Sequence, residues 1–223
     1  MSKKKYLVID VETAGTLDEP LVYDVGGAVI DKNGQVYETF SFVIEEIFYG
    51  HADIMQSAYY AEKIPQYKED LFYGLRSVAT FDQVYEYVRN IINKYNIKVF
   101  LAYNARFDRN ALNYTLQYLT DGENKYFLPY DVDVQCIWTM AKDSICKQKS
   151  YKRFCLKNGF LTARGQLKTS AEVVYRYMTF DEKFVESHTG LEDVRIESQI
   201  YALCRRQKKK MRLHYWDKRE AVV

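Results

Sequence analysis

Three short acidic clusters are spread along the chain in the order Asp10-Val11-Glu12, Asn104-Ala105-Arg106-Phe107-Asp108 and His188-Thr189-Gly190-Leu191-Glu192-Asp193. Carboxylates are hard oxygen donors suited to Mg²⁺ or Mn²⁺, and a pair of such ions can activate water and stabilise a leaving oxygen in phosphodiester hydrolysis. That chemistry also needs a titratable group to accept the proton of the attacking water. Asp10, Glu12, Asp108 and Asp193 offer the carboxylates, and His188 offers a base with an unperturbed pKa of about 6.5.

Taken singly, each motif has a plainer reading. Asp108 and Asp193 are acidic residues of the kind favoured near helix N-termini, and His188 alone reads as a surface or capping histidine. The Asp-x-Glu form recurs in Asp121-Gly122-Glu123 and nearly in Asp131-Val132-Asp133. Asp121 lies among Gly and Asn, the composition of a solvated turn. Asp133 precedes a helical pattern and is expected to be a helix cap or a supporting group. Only Asp10 and Glu12 end an apolar run, Tyr6 to Ile9, that reads as a buried central strand. Two residues apart in extended backbone, they share a face on which unpaired carboxylates would be costly without cations.

The elements that must position these groups follow from local patterns. Val22 to Ile30 and Gln35 to Ile44 read as strands around Asp31-Lys32-Asn33-Gly34, a hairpin turn. Glu45 to Thr80 is tyrosine-rich and has no clean period. Phe81 to Lys94 places Val84, Val88, Ile91 and Ile92 on one helix face, and Ile97 to Ala102 is a strand. Asn104 stands at the N-cap of a helix running through Leu112, Leu116 and Leu119. Tyr130 to Val134 alternates as a strand, and Gln135 to Ala141, Ser150 to Asn158 and Ser170 to Met178 read as helices, the second stopped by Gly159. Thr189-Gly190-Leu191-Glu192 has the form of a capping box, with Thr189 at the N-cap and Asp193 in the first turns. The expected fold class is α/β, a mixed β-sheet flanked by α-helices, with the acidic groups meeting in one cleft.

A chain of 223 residues with 48% hydrophobic and 28% charged residues suits one large globular domain. Its net charge of +2 does not by itself announce a polyanionic partner. The run from Arg205 to Arg219 is strongly basic, fit either to meet a phosphate backbone or to form a solvated helix end. Cys136, Cys146, Cys155 and Cys204 have neither metal-ligand nor redox spacing, so reduced thiols are expected. The apolar stretch after the first lysines is too short for a signal-peptide core, and no window approaches a membrane span, so a cytoplasmic protein with no membrane partner is expected.

The motifs VIDVETAG, AYNARFD and HTGLED, taken in this order, resemble those of the DEDDh family of 3′-5′ exonucleases, which includes the proofreading subunit of bacterial replicative DNA polymerase, ribonuclease T and oligoribonuclease. The resemblance covers nearly the whole chain, and the five-position spacing from His188 to Asp193 is that of the histidine branch of the family. It implies a ribonuclease H-like mixed β-sheet over residues 1–206, with 207–223 as a basic C-terminal tail or helix extension. It further implies that Asp10, Glu12, Asp108 and Asp193 bind two divalent metal ions (Mg²⁺ or Mn²⁺) and that His188 is the general base; Asp10 is the candidate bridging ligand, with Glu12 and Asp193 on one metal and Asp108 reaching the second through water. Thr13, Asn104 and Phe107 resemble residues that seat the terminal nucleotide or support the site; Thr13 also reads as a turn residue and Phe107 as core. Tyr103 replaces a histidine common in the second motif, and Gly190 an alanine common in the third.

The implied function is hydrolysis at the 3′ end of nucleic acid, single-stranded DNA favoured, releasing nucleoside monophosphates. An exoribonuclease acting on RNA tails or short RNA, and a non-catalytic nucleic-acid-binding protein of the same fold, are the alternatives. A nucleic acid with a free 3′ end is the expected partner, and a DNA polymerase or a second copy of the chain are further candidates. Tyr59, Tyr60, Tyr67 and Tyr73 are candidates to line a nucleotide channel by stacking on bases.

Overall fold

The fold is built on a strand far longer than its apolar run. In a computed structural model that describes residues 3–56 and 58–217, β1 spans Lys5–Gly15, because β2 (Pro20–Asp31) pairs with it in antiparallel register from Lys5↔Asp31 to Gly15↔Pro20. Asp10 and Glu12 therefore lie inside the strand rather than at its end. They stand opposite Gly26 and Asp24 respectively, just before a bulge between Glu12 and Thr13.

The hairpin continues into β3 (Val36–Ile44), turning at Gly34, whose φ of 82° suits a residue without Cβ. The aperiodic segment that follows forms α1 (Glu45–Phe48), α2 (Ala52–Gln56), a 3₁₀ turn at Ala61–Lys63, α3 (Ile64–Phe72) and the short strand β4 (Ser77–Ala79). A capping box between Thr80 and Gln83 starts α4 (Phe81–Tyr95), and β5 (Val99–Ala102) leads into α5 (Ala105–Leu119). Next comes β6, at Asp133–Cys136 rather than Tyr130 to Val134, since its parallel register with β5 runs from Val99↔Asp133 to Ala102↔Cys136. Asp133 accordingly starts a strand and accepts a hydrogen bond from His214 (3.0 Å) instead of capping a helix. The chain then forms α6 (Ile137–Ser144), α7 (Lys149–Asn158), α8 (Ala171–Thr179) and α9 (Gly190–Arg206).

The six strands lie in the order β4-β3-β2-β1-β5-β6, with β1, β2 and β3 antiparallel and the other pairings parallel. Alternation along β1 divides the core. Leu7, Ile9 and Val11 pack with Val84, Val88, Leu112 and Leu116 of α4 and α5. Tyr6 and Val8 pack on the other face with residues of α6 to α9, including Met140, Val194 and Ile200. Beyond α9 the basic segment lies against this scaffold: Cys136 N–H donates to the Leu213 carbonyl (2.7 Å), and Arg212 pairs with Asp143 (2.8 Å). Residues 218–223, including Arg219 of the basic run, lie outside the described residues. No helix among the described residues is long and apolar enough to cross a membrane.

The start of α9 touches the sheet backbone directly. A Cβ at Gly26 would collide with backbone atoms of Gly190 and Leu191, and one at Gly190 would lie 2.6 Å from the Gly26 nitrogen and 3.1 Å from the Asp10 carbonyl oxygen. This contact accounts for the glycine at position 190. Thr189 is the N-cap residue, yet the capping box read from the sequence does not form: its hydroxyl donates to Glu192 (2.5 Å) instead of accepting a backbone N–H. The carboxylate of Glu192 is held by Arg76, and the Gly190 N–H is capped by Asp24 of β2 at 2.9 Å. Gly26→Ala is expected to lower stability by about 1–3 kcal/mol through overpacking, measured by urea denaturation; an unchanged midpoint would contradict this close approach.

Candidate metal centre

Docking α9 over the Asp10–Gly26 pair brings its first turn onto the acidic face of β1. Asp10, Glu12 and Asp193 each offer a carboxylate oxygen, and these oxygens all lie within 4.8 Å of one another. Asp193 is 5% exposed, and its Oδ1 has no hydrogen-bond partner. A buried carboxylate oxygen of this kind, among other hard donors, fits a divalent cation. Asp108, 3% exposed in the first turn of α5, stands outside that compact group; its carboxylate accepts hydrogen bonds from its own N–H and from the N–H of Val11, between Asp10 and Glu12.

Burial pushes these carboxyl groups above the usual carboxylate range, and neighbouring carboxylates add to it at Asp10, Glu12 and Asp193. Burial raises Glu12 to about 9, with the charges of Asp193, Asp24 and Asp108 adding to it. Asp193 is raised to about 8 and Asp108 to about 7, burial again leading. Asp10 is raised by burial and then by Glu197, Asp108, Glu12 and Asp193. Like charges this close cannot all ionise unless cations or protons offset them.

His188 takes a left-handed backbone conformation (φ 54°), and its N–H donates to the Asp193 carboxylate. Its ring stacks on Tyr60, with centroids 4.2 Å apart and planes 11° from parallel. Burial lowers its pKa, and the charged groups acting on it are Glu172, Lys63 and Glu62 rather than the four carboxylates. The structure thus joins the His188 backbone to the acidic group while its ring rests on the aromatic wall beside it. A cavity of about 360 Å³ opens next to Glu12, lined also by Thr13, Leu17, Tyr59, Tyr60 and Phe107. Asn104 does not line it. That residue occupies the N-cap position of α5 with an exposed side chain that makes no capping hydrogen bond. Of the four tyrosines singled out from the sequence, Tyr59 and Tyr60 line the cavity, whereas Tyr67 is 1% exposed and donates to Asp24.

Several residues at the site went unread in the sequence. Asp24, fully buried, accepts from the Tyr67 hydroxyl (2.7 Å) and the Gly190 N–H (2.9 Å) and lies 3.5 Å from Arg76. Arg76 forks onward to Asp70 and Glu192, both at 2.9 Å, and to the Ser41 hydroxyl at 3.0 Å. This network clamps the first turn of α9 to the sheet through Gly190 and Glu192, three residues and one residue before Asp193. Its available signal was Asp24 itself, a lone acid inside the apolar run of β2.

No protein-family model and no curated protein matches the sequence. Solved structures do match. The zinc-bound E. coli Exonuclease I–single-stranded DNA complex superposes with a TM-score of 0.56 at 11% identity, over 93% of this chain and 41% of that one. E. coli Exonuclease I in complex with a dT13 oligonucleotide gives 0.53 at 13% identity, over 90% and 41%. The fold is ribonuclease H-like. At this identity the likeness concerns the fold, and the chain spans about two fifths of the length of those structures. The mixed sheet matches the architecture expected from the motifs, with Asp10 and Glu12 on the interior strand β1 and Asp193 on α9 packed over it.

Raised carboxyl pKa values set the direction of pH dependence. Unfolded Asp and Glu ionise near pH 4, so between that pH and about 7 to 9 the metal-free folded state holds protons that the unfolded state has released. The contribution of these groups is fully present below pH 4 and is lost as pH rises through the folded values. The metal-free melting temperature should fall from pH 5.5 to 8.5, and Mn²⁺ should restore it increasingly toward pH 8.5; scanning fluorimetry showing no such cation response would refute the cation fit. Arg76→Ala should cost about 3–5 kcal/mol by leaving Asp24 buried without its cation, and Arg76→Lys, which keeps the charge without the fork, should recover only part; denaturant midpoints report both.

Proposed function

We propose that the protein is a divalent-metal-dependent 3′-5′ exonuclease that shortens nucleic acid from its 3′ end, with single-stranded DNA as the favoured substrate and nucleoside monophosphates as products. The observation that carries this reading is the compact Asp10/Glu12/Asp193 group beside an open cavity, on a fold like that of a single-strand-bound exonuclease. Asp10, Glu12, Asp108 and Asp193 would hold the metal ions. Bound there, the ions supply an activated water and charge neutralisation at the leaving 3′-oxygen.

The chain's own residues supply the rest. His188 accepts the proton of the water, which requires its ring to turn from Tyr60 toward the carboxylates; its burial keeps it neutral and so able to act as a base. Thr13 and Phe107, in the cavity wall with Tyr59 and Tyr60, seat the terminal nucleotide, and the aromatic rings offer stacking faces to a base. Asn104 lies just before Asp108 at the start of α5 and supports the second motif through its backbone, its carbonyl accepting the Phe107 N–H at 2.7 Å.

Oligonucleotides labelled separately at each end, in DNA and RNA forms, should be shortened stepwise from the 3′ end with Mg²⁺ or Mn²⁺ and left intact with chelator. Asp10→Ala and Asp193→Ala should abolish turnover, and His188→Ala should reduce kcat by about 10²–10⁴ with metal binding retained. Internal cutting, or Mg²⁺-dependent turnover unchanged in Asp10→Ala, would overturn the reading.

A further inference from the structure

The positive charge of the chain is unevenly placed. Residues 142–168 hold eight lysines and arginines against a single acid, Asp143, and residues 205–212 hold six against none, in a chain whose net charge is only +2. The fold brings these two segments together at the far end of α9. Gln148, the N-cap residue of α7, donates to the Gln207 side chain (3.2 Å), and Lys209 reaches the Ser144 carbonyl (3.5 Å). Arg212 and Lys147 both pair with Asp143, at 2.8 and 3.0 Å. Tyr201 meets Tyr6 with ring centroids 5.2 Å apart, which sets this end of α9 beside the start of β1, whereas its first residue lies over Asp10. Along the helix, Arg206 is about 20 Å from Asp193 at a rise of roughly 1.5 Å per residue.

α7 carries charges that work against it as a helix. Tyr151 and Cys155 are buried, while Lys149, Lys152, Arg153 and Lys157 share the exposed face at spacings of three and four residues. Like charges at that spacing destabilise a helix, and no acid lies on α7 to offset them. Lys149, in the first turn, also faces the positive end of the helix dipole. Lys157 is paired with Glu182 (3.3 Å), and Asp143 is already engaged. Lys149, Lys152, Arg153, Arg205, Arg206 and Lys208 are exposed and make no ion pair among the described residues. We propose that this surface, formed by the exposed face of α7 and the C-terminal end of α9, binds the phosphate backbone of a nucleic acid strand at a distance from the cleft. Charge alone calls for a polyanion; that the polyanion is a nucleic acid rests on the nuclease reading above. A lipid surface would need an apolar face to insert, and Leu156 is the one large apolar residue exposed on α7. A phosphate backbone needs only the cations.

Fluorescence anisotropy of labelled oligo(dT) with the full chain in chelator reads binding without turnover. The wild type should bind a strand of about 30 nucleotides about tenfold or more tightly than one of about 6. The triple variant Lys149→Gln, Lys152→Gln, Arg153→Gln should lose about tenfold or more on the long strand and little on the short one. Its log–log salt slope should be shallower by about 2, as three lost phosphate contacts on a single strand require. The variant should melt no lower than the wild type, having lost like-charge pairs. Unaltered affinity and salt slope on the long strand would overturn the proposal. So would a wild type that binds phosphatidylserine vesicles and no DNA, which would give the surface to a membrane. A wild type that binds the long strand through these residues but shortens no oligonucleotide with Mg²⁺ would instead overturn the exonuclease reading and leave this surface standing. Should the α7 variant fail to fold, Arg205→Gln, Arg206→Gln, Lys208→Gln on the other part of the surface should show the same loss on the long strand; unaltered affinity there would count against the proposal.

Discussion

The hydrogen bond from the Gly190 N–H to the buried Asp24 carboxylate is the constraint on which the site depends. It joins the first residue of α9 to β2, at the pair of strands that carries Asp10 and Glu12. Helix N-termini leave backbone donors unsatisfied, and a local side chain normally fills one of them. Here the acceptor comes from the sheet, so capping the helix and docking it are one event. Gly26 and Gly190 permit the approach, and Arg76 holds Asp24 and Glu192 together across it. The result is a helix whose register against β1 is set at its first residue, three positions before Asp193.

That rigidity explains how so many like charges are tolerated. Asp10, Glu12, Asp108, Asp193 and Glu197 repel one another in a buried setting, and the surrounding core and clamp oppose their separation. Sites that concentrate charge in this way draw on stability supplied elsewhere, here by a sheet packed on both faces. The cavity next to Glu12 is of a different character, walled by Tyr59, Tyr60, Phe107 and Leu17 rather than by charge. An acidic floor and an aromatic wall meet at His188, whose backbone belongs to the first and whose ring lies on the second.

Much of the fold was legible because it is written in local patterns. The hairpin turn at Gly34, the amphipathic face of α4 and the glycine stop of α7 all follow from residues a few positions apart. Boundaries were less legible where pairing overrode composition. β1 continues through Asp10 and Glu12 because β2 supplies a partner along its whole length, and β6 starts at Asp133 because β5 sets the register. Thr189 and Glu192 carry the letters of a capping box, but Arg76 and Asp24 take over its hydrogen bonds from distant parts of the chain.

The sequence by itself determined the types, order and spacing of the acidic residues and the strand and helices that carry them, since periodicity and motif spacing are properties of neighbouring residues. Only the tertiary structure decided which carboxylates converge, that Asp108 stands apart on the Val11 backbone, that the His188 ring lies on Tyr60, and that Asp24 and Glu197 belong to the same neighbourhood. The physical reason is separation along the chain. The contact that assembles the site joins residues 166 positions apart, and a lone acid in a buried strand or helix face discloses its partner only when that partner has folded onto it.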